Sequence, residues 1–257
     1  MRIIFLKDIA SSCYCFLSLV LVFCFSEFAY SQDRDSDHVY ELRTYTAAKG
    51  KLKDLHSRFE DHTLKLFAKH GMKSLFYSTP LDKKDTLVYL LQHDSREAAK
   101  KSWKEFISDP NWKKVFKDSR NNGALVTKVQ SMFLKKTDFA PKEVSNKDEI
   151  SRVFELRTYT TAEGRLPNLL KRFREGETDL FKKHGMTNII FWTPLDKKNT
   201  MVYVLAHKNK KAAAKSWKAF FADPQWKKIR KKSLASGPIV IKVQNMFLTP
   251  TEYSPFK

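Results

Sequence analysis

VYELRTYT at residues 39–46 returns as VFELRTYT at 153–160, and this repeat decides the fold. HGM at 70–72 returns at 184–186, TPLDKK at 79–84 returns at 193–198, and the KSWK and DPxWKK segments of 101–114 return at 215–228. His184 lies 114 positions after His70, and every other pair keeps that offset, so nothing has been gained or lost between the copies; roughly half of the aligned positions are identical. A period this long exceeds the roughly 20 to 50 residues of stacking repeats and suits a small globular unit. The expected organisation is two domains, 39–139 and 153–253, joined by a polar linker at 140–152.

Within one copy, Tyr40, Leu42 and Thr44 alternate with Glu41, Arg43 and Tyr45, the period of a β-strand. After Gly50, Leu52, Leu55, Phe59, Leu66 and Phe67 recur at three-and-four spacing and predict an amphipathic helix. That helix stops at His70, because Gly71 is free to take the left-handed conformation of a helix end. Strands at 72–79 and 86–92 flank the polar turn 80–85 as a hairpin. Ala98, Trp103 and Phe106 then line one side of a helix, which Asp109-Pro110 interrupts and restarts as N-cap and first-turn proline. Gly123 ends it, and 125–134 reads as the last strand.

The order βαββαβ is the ferredoxin-like plan of an α+β fold: four antiparallel strands with helices on one face. The other face is bare. Two copies in one chain can cover each other sheet to sheet, as an intramolecular pseudo-dimeric α/β barrel, so a monomer is expected.

Residues 1–31 belong to targeting rather than fold. Arg2 and Lys7 precede an apolar run at 13–25, and Ala29 and Ser31 sit at the minus-three and minus-one positions of a cleavage near Ser31. The run is shorter than the roughly 20 residues that span a bilayer. A secretory signal peptide, and hence a secreted or periplasmic protein, is the expectation. Cys13, Cys15 and Cys24 are the only cysteines and all lie in this segment, leaving the mature chain without disulfides, thiolate nucleophiles or cysteine metal ligands.

The formal net charge is +20, and the export segment contributes none of it. Such a field suits an anionic polysaccharide or a membrane surface, while the plainer reading is a lysine-rich surface that keeps an exported protein soluble. No arginine-rich arm or zinc-finger spacing accompanies the lysines, so nucleic acid is not expected as a partner. Nucleophile motifs, phosphate-binding glycine loops and dinucleotide fingerprints are missing, and no cofactor is expected.

ELRTYT opening each copy, HGM after the first helix, the Leu-Val-Tyr hairpin strand, W…DPxW and a closing VQxMFL together resemble the NIPSNAP domain of the dimeric α/β-barrel superfamily. The resemblance covers both copies. It implies a barrel that holds a small organic molecule between the paired sheets, or an interaction module. Related barrels catalyse cofactor-independent oxygenation, haem degradation or isomerisation there. The export segment departs from the better-known members, which are intracellular.

Glu41, Arg43 and Tyr45, with Glu155, Arg157 and Tyr159 in the second copy, are the leading ligand-binding candidates. If Leu42 packs on the helices, these side chains face the opposite sheet and can orient a small polar or aromatic ligand, or Glu41 and Arg43 simply neutralise each other. In an enzyme, Arg43 or Arg157 would hold an anionic substrate while a neighbouring Tyr or His moved a proton. His70 and His184 are candidate acid–base groups by residue type, yet each precedes a helix-ending glycine, where an imidazole can cap the last carbonyls. His93 and His207 have no second histidine at ligand spacing, so no metal site is expected. Trp103, Trp112, Trp217 and Trp226 read as core anchors, Asp109 and Asp223 as N-caps. Trp192 stands where the first copy has Ser78, so if only one pocket is open, the half built around Ser78 is the expected ligand-binding one.

Overall fold

The alternating pattern at the start of each copy forms β1 (Val39–Ala47) and β5 (Val153–Thr161) in the computed structural model, which describes residues 38–141 and 152–257. The expected export segment and most of the linker lie outside the described residues. The first half continues with α1 (Leu52–Arg58), a π-helical turn (Phe59–Thr63), α2 (Leu64–Lys69), β2 (Lys73–Pro80), β3 (Thr86–His93), α3 (Arg96–Ser108), α4 (Pro110–Asp118) and β4 (Val126–Lys136). The second repeats it: α5 (Leu166–Arg172), a wide turn (Phe173–Glu177) kinked at Gly176, whose φ is +141°, α6 (Thr178–Lys183), β6 (Thr187–Pro194), β7 (Thr200–His207), α7 (Lys210–Ala222), α8 (Pro224–Ser233) and β8 (Val240–Pro250).

The first helix of each half is not uniformly α-helical, and its buried residues explain why. Leu55, Phe59, Thr63 and Phe67 recur at strict four-residue spacing and are all buried, as are Leu169, Phe173, Glu177 and Phe181. On an α-helix of 3.6 residues per turn that spacing drifts by about 40° per step. A wider turn, in which Leu64 N–H reaches back to the Phe59 carbonyl, absorbs the drift and keeps all four side chains on one face. Position 63 in one half and 177 in the other are thereby turned inward.

The strands close into one barrel in the order β1-β3-β2-β8-β5-β7-β6-β4. Each half contributes four antiparallel strands, and the halves join by short antiparallel pairings, Ser78–Pro80 with Leu248–Pro250 and Leu134–Lys136 with Trp192–Pro194. Phe139 packs on Phe173 and Phe191 of the second half, and its counterpart Tyr253 packs on Tyr77 of the first.

Inside the barrel the side chains of both halves form one apolar core of Tyr40, Leu42, Val88, Leu90, Leu156, Trp192 and their neighbours. The expected orientation of β1 and β5 is therefore reversed. Leu42 points inward, and Glu41, Arg43 and Tyr45 point out to the helices. Their register partners on β3, Leu91, Tyr89 and Leu87, belong to the separate core between sheet and helices, with Phe59, Phe67 and Phe106. The reason the sequence misleads is β3 itself: TLVYLLQH is apolar on both faces, so alternation there does not tell interior from exterior.

Local caps follow the expected chemistry. Asp109 and Asp223 accept from Asn111 N–H and Gln225 N–H at the breaks between α3 and α4 and between α7 and α8. Ser95 caps α3 through Ala98 N–H, 3.0 Å away. Ser95→Ala is expected to lower stability by about 1 kcal/mol in urea unfolding without changing the fold.

Candidate functional site

In each half a carboxylate from the first strand gathers donors from four elements under the third helix. Glu41 Oε1 accepts from Arg43 Nη1 at 2.5 Å and from Ser131 Oγ of β4 at 2.6 Å. Its Oε2 accepts from Trp103 Nε1 of α3 at 2.7 Å and lies 3.2 Å from His93 Nε2 at the end of β3. Glu155 repeats this with Arg157 at 2.5 Å, Asn245 at 3.2 Å, Trp217 at 2.7 Å and His207 at 3.1 Å. Each arginine then lies over the indole of the same tryptophan, 4.2 Å from its centroid in both halves, and donates to Tyr45 or Tyr159.

The electrostatics follow from this crowding. Burial works against the charge of Glu41, but the bond from His93, the charge of Arg43 and the bonds from Ser131 and Trp103 outweigh it and hold the carboxyl down at about 2. Glu155 is held at about 2 as well: burial is opposed by His207, Arg157 and Trp217. Burial raises Tyr159, and it raises Tyr203 and Tyr89 far more. The Glu–Arg pairing expected from two-residue spacing is present in both halves, inside a larger network.

The network reaches a cleft in the second half. An opening of about 500 Å³ between β5, β8 and helices α7 and α8 is lined by Arg157, Tyr159, Trp217, Phe221, Trp226 and Arg230. Trp217 and Phe221 stack with centroids 5.5 Å apart and planes 23° apart, and Phe221 is 54% exposed. Arg172 and Glu177 also line this cleft, joined by a 2.7 Å bond from Nε to Oε2. Burial pushes the Glu177 carboxyl up, with the charge and hydrogen bond of Arg172 acting against it. Arg230 is exposed and, among the described residues, has no carboxylate in ion-pair range.

The other candidates lie apart from this cleft. His70 and His184 end their helices as expected, but their imidazoles do not cap the last carbonyls. Each Nε2 instead lies 2.8 Å from the carboxylate that caps the last helix of its half, Asp109 at α4 or Asp223 at α8. Lys69 and Lys183 bind the same carboxylates at 2.7 Å. Bonds from the lysine first and the histidine second hold both aspartates well below the usual carboxylate range, so these histidines tie two helices together. Ser78 and Trp192 both face the barrel interior and are fully buried. The asymmetry noted in the sequence is thus one of core packing.

The family pattern of NIPSNAP matches residues 40–141 and 154–255. The chain belongs to the NIPSNAP family. No curated protein is a match for it. Among solved structures, a proposed monooxygenase from Fusobacterium nucleatum is similar at a TM-score of 0.60 and 10% identity, covering 86% of this chain and 99% of its own. A proposed monooxygenase from Lactobacillus acidophilus is similar at 0.56 and 12% identity, covering 83% and 94%. A NIPSNAP-like domain protein from Burkholderia xenovorans aligns with 41% of this chain and 90% of its own, at 16% identity and a TM-score of 0.38. At these identities the two longer matches show a shared fold.

Residues that sequence reasoning assigned elsewhere complete the NIPSNAP network. Trp103 and Trp217 are core anchors, as expected, yet their indole N–H groups also donate to the buried carboxylates, each at 2.7 Å. His93 and His207, which lack metal-ligand spacing, are carboxylate partners. The available signal was the repeat: Glu, Arg, Tyr, His and Trp recur together at the 114-residue offset. Ser131 and Asn245 differ between the copies and gave none.

Proposed function

We propose that this NIPSNAP protein binds a small planar organic acid in the cleft of its second half, between sheet and helices, and does so outside the cytoplasm. The observation that carries this reading is the cleft's pairing of aromatic walls with fixed cations. Trp217 and Phe221 offer stacked rings to a flat apolar ligand, while Arg157 is held in place by Glu155 and Tyr159 at the inner end. Arg157 and Arg172 are neutralised by Glu155 and Glu177, whereas Arg230 at the mouth is not, so the lining carries an excess positive charge that suits a carboxylate. The barrel interior, filled by side chains, is a core in this reading.

The test is native mass spectrometry of the protein as purified from its own export compartment, beside a Phe221→Ala/Arg230→Ala variant. Both replaced side chains are exposed, so the fold is expected to survive. The expected result is a mature chain beginning at Gln32 with a small retained mass in the unaltered protein, and at least a tenfold lower occupancy in the variant. Equal retention by both would place the ligand elsewhere, and a ligand-free protein would remove the reading.

A further inference from the structure

We infer that the first half binds the carboxylate of a small organic acid beside Arg58, at the position that the Glu177 carboxylate fills in the second half. This site is separate from the cleft proposed above and stands or falls without it.

Arg58 and Arg172 are equivalent by the 114-residue offset and sit alike. Each closes the first α-helical segment before the wide turn, each is more than nine-tenths buried, and each lies over the same tryptophan of the last helix, Trp112 at 5.3 Å and Trp226 at 5.1 Å. Their charges are handled differently. Arg172 donates from Nε to Glu177 at 2.7 Å. The counterpart of Glu177 is Thr63, also turned inward by the π-helical turn, but its hydroxyl donates to the Arg58 carbonyl at 3.0 Å. Arg58 Nε is buried with no partner, and Nη1 has only the Ser119 hydroxyl at 3.3 Å. Among the described residues no carboxylate comes within ion-pair distance of it.

The surroundings sharpen the imbalance. Arg120 stands where the second half has Leu234, and burial together with the Arg120 charge pulls Arg58 below its ordinary value. A buried guanidinium without a counter-ion is unfavourable, and a carboxylate matches its fork of donors. The second half demonstrates that this seat accepts one. Arg58 and Ser119 line a groove of about 420 Å³ beside α1 and α4, which reaches the guanidinium from its Ser119 side. Of the groove's three acids, Asp54 is neutralised by Lys51 and Asp118 by Lys114, each at 3.0 Å, which leaves the Asp61 carboxylate against the groove's Arg58.

Acetate is the smallest probe that reproduces the end of the Glu177 side chain. The full mature protein, labelled with fluorotryptophan, gives one fluorine resonance for each of its five tryptophans. Titrated with sodium acetate against sodium chloride of equal ionic strength, the Trp112 resonance is expected to shift to saturation. The shift is expected to vanish in Thr63→Glu, whose own carboxylate would occupy the seat, and in Arg58→Met, which removes the cation while keeping buried volume. The second variant decides the matter should the first fail to fold. A Trp112 response to acetate no larger than that to chloride, or an undiminished response in the variants, overturns the inference.

Discussion

Glu155→Gln is expected to destabilise the protein by about 3 to 5 kcal/mol, the usual consequence of removing one partner from a buried ion pair. Glu155 accepts from Arg157, Trp217 and Asn245 and lies against His207, and it is inaccessible to water. Glutamine keeps the shape but turns an NH₂ group toward a set of donors, and it leaves Arg157 charged under the Trp217 indole. Urea unfolding, with the slope compared to confirm an unchanged denatured state, reads the effect directly. Arg157→Met placed on top of Glu155→Gln should recover part of the loss, because the stranded cation is then gone. A midpoint unchanged by Glu155→Gln would mean that the carboxylate is not the organising centre of its half.

Acid should expose the same two centres together. Glu41 and Glu155 titrate at about 2 in the folded protein against an ordinary 4.5. Both are depressed, so their stabilisation is complete above pH 4.5 and is lost as pH falls through that window to about 2. The shift corresponds to about 3 kcal/mol per carboxylate. Asp109 and Asp223 are depressed too and act with the same sign, whereas Glu177, which burial pushes up, acts with the opposite one. Stability measured between pH 5 and pH 2 should therefore fall steeply in the unaltered protein and much less in Glu41→Gln/Glu155→Gln. Parallel profiles for the two proteins would contradict the assignment.

The architecture was legible because the repeat supplied each element twice. Gly71, with a φ of +72°, ends α2 where the HGM motif placed the stop, and Asp109 breaks α3 from α4 at the Asp-Pro pair. The direction in which β1 faces was not legible. It depends on whether the bulky apolar residues of β3 at even or odd positions meet the helices, and both sets are apolar. The wide turns at 59–63 and 173–177 were hidden for a related reason: three-and-four spacing satisfies an ordinary helix until Thr63 and Glu177 are recognised as part of the buried face. The candidate side chains Glu41, Arg43, Tyr45, Glu155, Arg157 and Tyr159 were identified from their strand period, but their setting against Trp103 and Trp217 is a tertiary contact between residues 62 apart. No local pattern encodes it.

Tryptophan position distinguishes a ligand in the cleft between sheet and helices from one in the barrel interior. Trp217 lines the cleft and Trp192 fills the barrel core, so fluorotryptophan NMR reports on the two places separately. Spectra of the protein as isolated and after its retained molecule has been stripped by unfolding and refolding should differ at Trp217 and agree at Trp192. A change at Trp192 with Trp217 unmoved would contradict the account and put the ligand inside the barrel.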